Sequence, residues 1–195
     1  GPDDMTIKKI SPNLIFGHNR LKIVDLSDKA NQPFSYKNVS LLFNGMIYNY
    51  IELKKEISSK DYRFQTDCDT EVILAAYLKW GENCFKKLTG MFSIVLWDNR
   101  KKKLFCVRDR LGIKPLYYLI KNKNLYLSSE IKPLRKLISF NINTEVLSDY
   151  LIYSLYENKE NTFFKDIKQI EPGYIYEFNN DNTYSKKKYW SLFDV

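Results

Sequence analysis

The run from Val39 to Tyr50, Val-Ser-Leu-Leu-Phe-Asn-Gly-Met-Ile-Tyr-Asn-Tyr, places the tightest limit on what this chain can fold into. Val39 to Phe43 is an apolar run of strand length, and Asn44-Gly45 halts it. Asn and Gly tolerate positive φ, so the pair predicts a tight reversal at the end of a buried strand. Asn49 then predicts a cap for a helix from Tyr50 to about Lys60, with Ile51, Leu53 and Ile57 turned inward. A plain β-turn explains Asn44-Gly45 without any chemistry. The same turn also offers two donors to one point, the Asn44 amide and the Gly45 N–H. Two converging donors are what a tetrahedral oxyanion requires.

The flanking segments read as short alternating elements. Leu14–Phe16 and Leu21–Leu26 predict strands on either side of Gly17-His18-Asn19-Arg20, after a turn-like opening at Gly1–Asp4. Asp28 to Pro33 reads as a polar loop. Asp69, at or just before a helix N-terminus, leads a second helix over Thr70–Trp80, with Val72, Ile73, Ala76, Tyr77 and Trp80 as its stripe and Gly81 as its stop. From Gly90 the pattern changes to hairpins: Met91–Asp98 with Lys103–Val107, and Leu116–Ile120 with Leu125–Ser128. Ser129 and Asn143 or Thr144 predict caps for two more short helices, and Gly173–Phe178 with Tyr184–Trp190 predicts a closing hairpin. Helices early, hairpins later and helices again predict a layered α+β fold.

Composition excludes several classes of function. A content of 44% hydrophobic and 15% aromatic residues in 195 argues for a packed domain rather than disorder. No apolar run reaches bilayer length and the N-terminus shows no signal peptide, so no membrane partner and a cytoplasmic location are expected. The net charge of +8 comes from scattered lysines in loops, such as Lys101–Lys103 and Lys186–Lys188, which predicts solvated turns and no specific nucleic-acid partner. Three cysteines and one histidine form no metal-ligand spacing, so no metal site is expected.

Phe43-Asn44-Gly45-Met46-Ile47-Tyr48-Asn49-Tyr50, Asp69-Thr70-Glu71-Val72, Gly90-Met91-Phe92 and Arg108-Asp109-Arg110-Leu111-Gly112-Ile113-Lys114-Pro115-Leu116-Tyr117-Tyr118 follow one another in a known order. With Gly1-Pro2-Asp3-Asp4, Gly17-His18-Asn19-Arg20-Leu21, Ser129-Glu130-Ile131-Lys132 and Pro172-Gly173, the chain resembles the glutamine-hydrolysing asparagine synthetases over nearly its whole length. The resemblance implies a class II glutamine amidotransferase domain, a four-layer α-β-β-α sandwich of the N-terminal nucleophile hydrolase type. In such domains an N-terminal cysteine attacks the glutamine side-chain amide with its own α-amine as base, which suits an amine titrating near pH 8. The products are glutamate and ammonia, and the ammonia passes to a synthetase domain on the same chain.

Carried over residue by residue, the resemblance makes Asn44 and Gly45 the oxyanion hole. Arg20 would grip the glutamine α-carboxylate and Asp69 its α-ammonium, with Leu21, Ile23, Val24 and Met46 lining the substrate pocket. Met46 departs from the family, which places glutamate there, and weaker glutamine binding is expected. The chain opens at the Gly-Pro-Asp-Asp motif, which in the family lies inside the domain. The first strand and its cysteine are therefore expected to be absent and the chain inactive alone. Residues 1–140 are expected to form the incomplete glutaminase domain, and 141–195 its end and the lead-in to the synthetase domain. No cofactor is expected in this chain; ATP and Mg are implied for the synthetase domain. Another acceptor such as a sugar, a non-catalytic scaffold role, and a homodimer all stay open at this point.

Overall fold

Strands β1 (Asp4–Ser11) and β2 (Leu14–Arg20) open the computed structural model as an antiparallel hairpin. The structure describes residues 1–57, 60, 62–155 and 159–194. β3 (Phe34–Tyr36) and β4 (Val39–Ile47) follow, then helices α1 (Tyr50–Glu56), α2 (Asp69–Trp80) and α3 (Cys84–Lys87). β5 (Gly90–Asp98), β6 (Lys103–Arg108), β7 (Tyr117–Lys121) and β8 (Asn124–Ser128) are the predicted hairpins. Helices α4 (Ile131–Arg135) and α5 (Thr144–Tyr153), then β9 (Lys168–Gln169), β10 (Tyr174–Phe178) and β11 (Tyr184–Lys188), complete the order.

Six strands form the central sheet in the order β11-β10-β6-β5-β4-β3, while β8-β7-β9 and β1-β2 form two smaller sheets. Alternation along each strand splits the central sheet into two faces. Leu41, Phe43 and Ile47 of β4 with Phe92, Ile94 and Leu96 of β5 bury one face against Val72, Ile73, Ala76 and Tyr77 of α2. Leu42, Val95, Trp97, Tyr176 and Phe178 turn the other way and meet Phe16 of β2 and Tyr118 of β7. On the far side of β7, Leu119 packs with Leu134 of α4. The result is the expected α-β-β-α sandwich. Burying each of these large side chains contributes roughly 1.5–3 kcal/mol. No helix among the described residues is long and apolar enough to cross a membrane.

Several local expectations are overturned, each for a physical reason. Asn44 and Gly45 do not reverse the chain; they continue β4 opposite Ser93 and Phe92. Gly45 uses its φ of +151° for close approach instead, since a Cβ there would sit 2.0 Å from the Met91 carbonyl oxygen. Leu21–Leu26 is not a strand, because Asp3 caps the chain as it leaves β2, accepting from the Lys22 N–H at 2.8 Å. β1 begins at Asp4, the last residue of the opening read as turn-like, and runs on to Ser11 through residues for which no element was read. Asn49 is the N-cap residue of α1, as read, but its side chain makes no capping bond: its amide donates to the Lys87 carbonyl and accepts from the Thr89 N–H. α1 ends at Glu56, and residues 58 and 59, inside the longer helix expected, lie outside the described residues. Cys68 caps α2 through its sulfur, which leaves the Asp69 carboxylate free to face β4. Ser129 caps nothing: Glu130 precedes α4 with no side-chain bond. The Asn143 cap of α5 and the Gly81 stop of α2 are as read, Gly81 having φ +59°.

Candidate active site

Backbone groups of successive strand residues point to opposite edges. Phe43, Gly45 and Ile47 therefore share the edge of β4 that faces away from β5. β3 covers that edge only as far as the pairing of Phe34 with Leu41. Beyond it, the Phe43 N–H donates to Gln32 Oε1 at 2.7 Å, and Gln32 Nε2 donates back to the Phe43 carbonyl at 3.0 Å. Two residues further on again, the Ile47 N–H donates to Asp69 Oδ2 at 3.1 Å. Gly45 lies between these two tied positions, with its backbone on the same uncovered edge. The Asn44 side chain, one residue out of phase, turns into the space between the sheets beside His18 and Ser93.

Asp69 is 4% exposed, and its carboxylate accepts from the Ile47 N–H at 3.1 Å, with the Thr70 N–H and its own N–H close by and a long approach from Cys68 Sγ at 3.8 Å. No cation pairs with it among the described residues. Burial pushes its carboxyl above the usual range, with the Ile47 N–H pulling in the other direction. Arg20 is 6% exposed. Its guanidinium donates to the Ser27 carbonyl at 2.7 Å, to the side-chain oxygen of Asn31 and to the Asp25 carbonyl. These three acceptors are neutral. Two of its five N–H groups remain, the number a carboxylate takes in a bidentate pair. Asp25 and Asp28 feel its charge but make no ion pair with it.

Two routes connect these groups. Arg20 bonds Asn31, and the next residue, Gln32, bonds both Phe43 and the Thr70 hydroxyl at 3.4 Å. Phe43 precedes Asn44 and Thr70 follows Asp69. The second route runs from Arg20 to the Asp25 carbonyl, and from the Asp25 carboxylate to the Asp67 N–H at 3.0 Å. Hydrogen-bonded routes thus link Arg20 of β2 and Asp69 of α2 to the half of β4 that carries Asn44 and Gly45, three separate elements in all.

The other named residues sit differently. A cleft of about 780 Å³ between the sheets is lined by Asn44, His18 and Ser93 among others, while Arg20 and Asp69 lie outside its lining. Leu21 and Ile23 are 58% and 70% exposed, so their side chains project to solvent and only their backbones can face the site. Val24 and Met46 are half-buried. Nδ1 of His18 is buried without a partner, and burial, the Gly1 ammonium and Arg20 all lower the pKa of its ring. Cys68, Cys84 and Cys106 are buried, and burial raises all three thiols. No group of three potential ligands is found for a metal among the described residues. Sequence reading missed Asn31 and Gln32; their one signal was a pair of amides just before the central hairpin.

Two sheets face to face between helices, with an open backbone edge at the end of β4, are the α-β-β-α architecture of the N-terminal nucleophile fold. The glutamine phosphoribosylpyrophosphate amidotransferase of B. subtilis, solved with ADP and GMP, superposes with a TM-score of 0.62. It covers 90% of this chain and 34% of that one at 19% identity, which speaks to fold alone. The chain belongs to the glutamine amidotransferase domain family, whose pattern matches residues 1–190. It is 38% identical over 180 residues to asparagine synthetase [glutamine-hydrolyzing] 1 of Bacillus subtilis (strain 168), covering 90% of this chain and 28% of that protein. A putative asparagine synthetase [glutamine-hydrolyzing] 2 of Methanocaldococcus jannaschii is 34% identical, covering 96% of this chain and 43% of the relative. The chain therefore spans less than half the length of either.

Proposed function

We propose that this domain binds glutamine and supports hydrolysis of its side-chain amide, the ammonia serving ATP-dependent amidation of aspartate by a synthetase domain on the same polypeptide. One observation carries the reading: among the described residues a buried carboxylate, Asp69, has no cation and a buried guanidinium, Arg20, has no anion, and both are tied by hydrogen-bonded routes to β4. A free amino acid neutralises both, its ammonium at Asp69 and its carboxylate at the two remaining N–H groups of Arg20. The Asn44 amide and Gly45 N–H then stabilise the oxyanion formed on the side-chain carbonyl, and losing one such donor costs on the order of 100-fold or more in rate. None of the three thiols present fits the nucleophile, each being buried and raised. This supports the reading that the attacking cysteine is an N-terminal residue outside these 195. ATP and Mg belong, on this reading, to the synthetase domain. Aspartate is preferred over a sugar as acceptor because the similar proteins named above are called asparagine synthetases.

The test is calorimetry or ligand-observed NMR with L-glutamine and L-glutamate, for which binding in the millimolar range or weaker is expected. Asp69→Asn and Arg20→Ala should each abolish it, and retention of binding by either variant would refute the pocket. Asp69→Asn carries a second, opposite signature. The folded-state pKa of Asp69 lies above its unfolded value, so the native state holds the proton more tightly. Stability therefore falls as pH rises from the ordinary carboxylate range through the raised value. The Asn variant lacks that load. Its melting temperature should equal or exceed the parent's at pH 7, and the gap should close toward pH 4.

Met46 offers a gain-of-affinity prediction. Restoring the family's acid with Met46→Glu adds one charge-assisted contact to the substrate ammonium, worth roughly a factor of ten. Titration should show glutamine binding tighter by about that factor, with little change for an analogue that lacks the α-amine.

A further inference from the structure

We propose that Gln32 is a positioning residue for this site, its carboxamide replacing the missing strand partner of Phe43 and fixing the Asn44–Gly45 edge against the Asp69 end of α2. The claim rests on the function proposed above and adds a residue to it. β3 and β4 pair Tyr36 with Val39, Ser35 with Ser40 and Phe34 with Leu41. Continued by two residues on each strand, that register sets residue 32 opposite residue 43. Pro33 intervenes and has no N–H to give. The backbone ladder stops there, and the Gln32 side chain takes over with one acceptor and one donor, at 2.7 and 3.0 Å.

A primary amide suits this position because it carries both functions of a peptide group. It also has a second N–H, which reaches Thr70 Oγ1 at 3.4 Å. One buried side chain therefore touches the residue before Asn44 and the residue after Asp69. Asn31, its neighbour, holds Arg20. On the edge of β4 that β3 no longer covers, the distance from oxyanion donors to ammonium acceptor is then held by Gln32 together with the Ile47–Asp69 bond. A purely structural glutamine would stabilise β4 without caring which ligand is bound. A positioning glutamine should matter most to ligands that engage both ends of the site.

Gln32→Met keeps the length and apolar bulk of the side chain but removes donor and acceptor. Amide hydrogen exchange on the folded variant should show the Phe43 N–H exchanging at least tenfold faster, with Leu41, paired to β3, unchanged. L-glutamine binding should weaken at least tenfold, and a glutamine analogue lacking the α-amine should weaken less than threefold. Thr70→Val cuts the other end of the link and, should Gln32→Met fail to fold, carries the same test with an expected three- to tenfold loss. Unchanged glutamine affinity in these variants, or an equal loss for both ligands, would overturn the role of Gln32 and leave the function reading intact. Failure of the unsubstituted chain to bind glutamine would overturn both.

Discussion

Gly45→Ala should lower stability by several kcal/mol and eliminate glutamine binding, a larger loss than any other single methyl added to this chain's site. The methyl carbon would lie 2.0 Å from the Met91 carbonyl oxygen, 2.7 Å from Phe92 Cα and 2.9 Å from the Met91 carbonyl carbon. All three are backbone atoms of β5, so no flexible side chain can swing aside. The φ of +151° is also one that a residue with a Cβ rarely adopts. The sheet must therefore part at this point, where β4 pairs Gly45 with Phe92 and Met46 with Met91. Parting it displaces the edge that carries the Gly45 N–H and loosens the anchor of Ile47 on Asp69. Gly81→Ala is the matched control: its φ is also positive, at +59°, but a Cβ there meets nothing within 4 Å. Its ψ of −144° puts it in a region open essentially to glycine, so alanine should cost about 1–3 kcal/mol of backbone strain but no clash. Denaturant midpoints for the two variants measure the difference, and equal midpoints would contradict the close-approach account of Gly45.

Much of this architecture was legible from local pattern. The stripe Val72, Ile73, Ala76 and Tyr77 gave α2 because its period matches a helix lying on a sheet, and the four late hairpin strands follow from short polar connections between alternating runs. Asn44-Gly45 misled because the pair's tolerance of unusual φ has two uses. A turn and a close backbone crossing draw on the same residues, and only the partner strand tells them apart. β1 was hidden by its lysines: Lys8 and Lys9 sit on a hairpin that is half solvated, so alternation was weak. Leu21–Leu26 failed for the opposite reason. Its apolar side chains look like strand material but Leu21, Ile23 and Leu26 stay exposed, and the Asp25 carbonyl accepts from Arg20 rather than from a strand partner. Arg20, Asn44 and Asp69 were found through the family resemblance, and in the structure hydrogen-bonded routes link Arg20 and Asp69 to the strand that carries Asn44. Gln32 was invisible for a deeper reason. A side chain that imitates backbone leaves no periodic trace.

Asp109→Ala is the second large expected effect, a loss of about 3–5 kcal/mol, and it gives the long Arg108–Tyr118 motif a physical meaning. Asp109 is 1% exposed. Its Oδ1 accepts from the Leu111 and Ile113 N–H groups at 3.1 and 3.0 Å, its Oδ2 from Phe92 and Lys114 at 3.1 and 2.9 Å. A single carboxylate thus turns the loop after β6 and pins it to β5. Arg108 closes the loop from outside, donating to the Gly112 and Lys114 carbonyls and, across the fold, to Gln169 and Ile170. Alanine leaves four backbone donors without their acceptor. Those of Leu111 and Ile113 can turn to water, but the Phe92 N–H is buried, and each buried orphan costs about 1–3 kcal/mol. Against a total stability of about 5–15 kcal/mol this is a large fraction. Asp109→Asn should recover part of the loss, since one oxygen still accepts while the new NH2 faces donors. The effect should also reach the site, because Phe92 is the residue opposite Gly45. Urea titration of the two variants gives the stability order, parent above Asn above Ala. Amide exchange at Phe92 and Gly45 should speed up together in the Ala variant; acceleration confined to residues 111–114 would mean that the loop and the strand end are not mechanically joined.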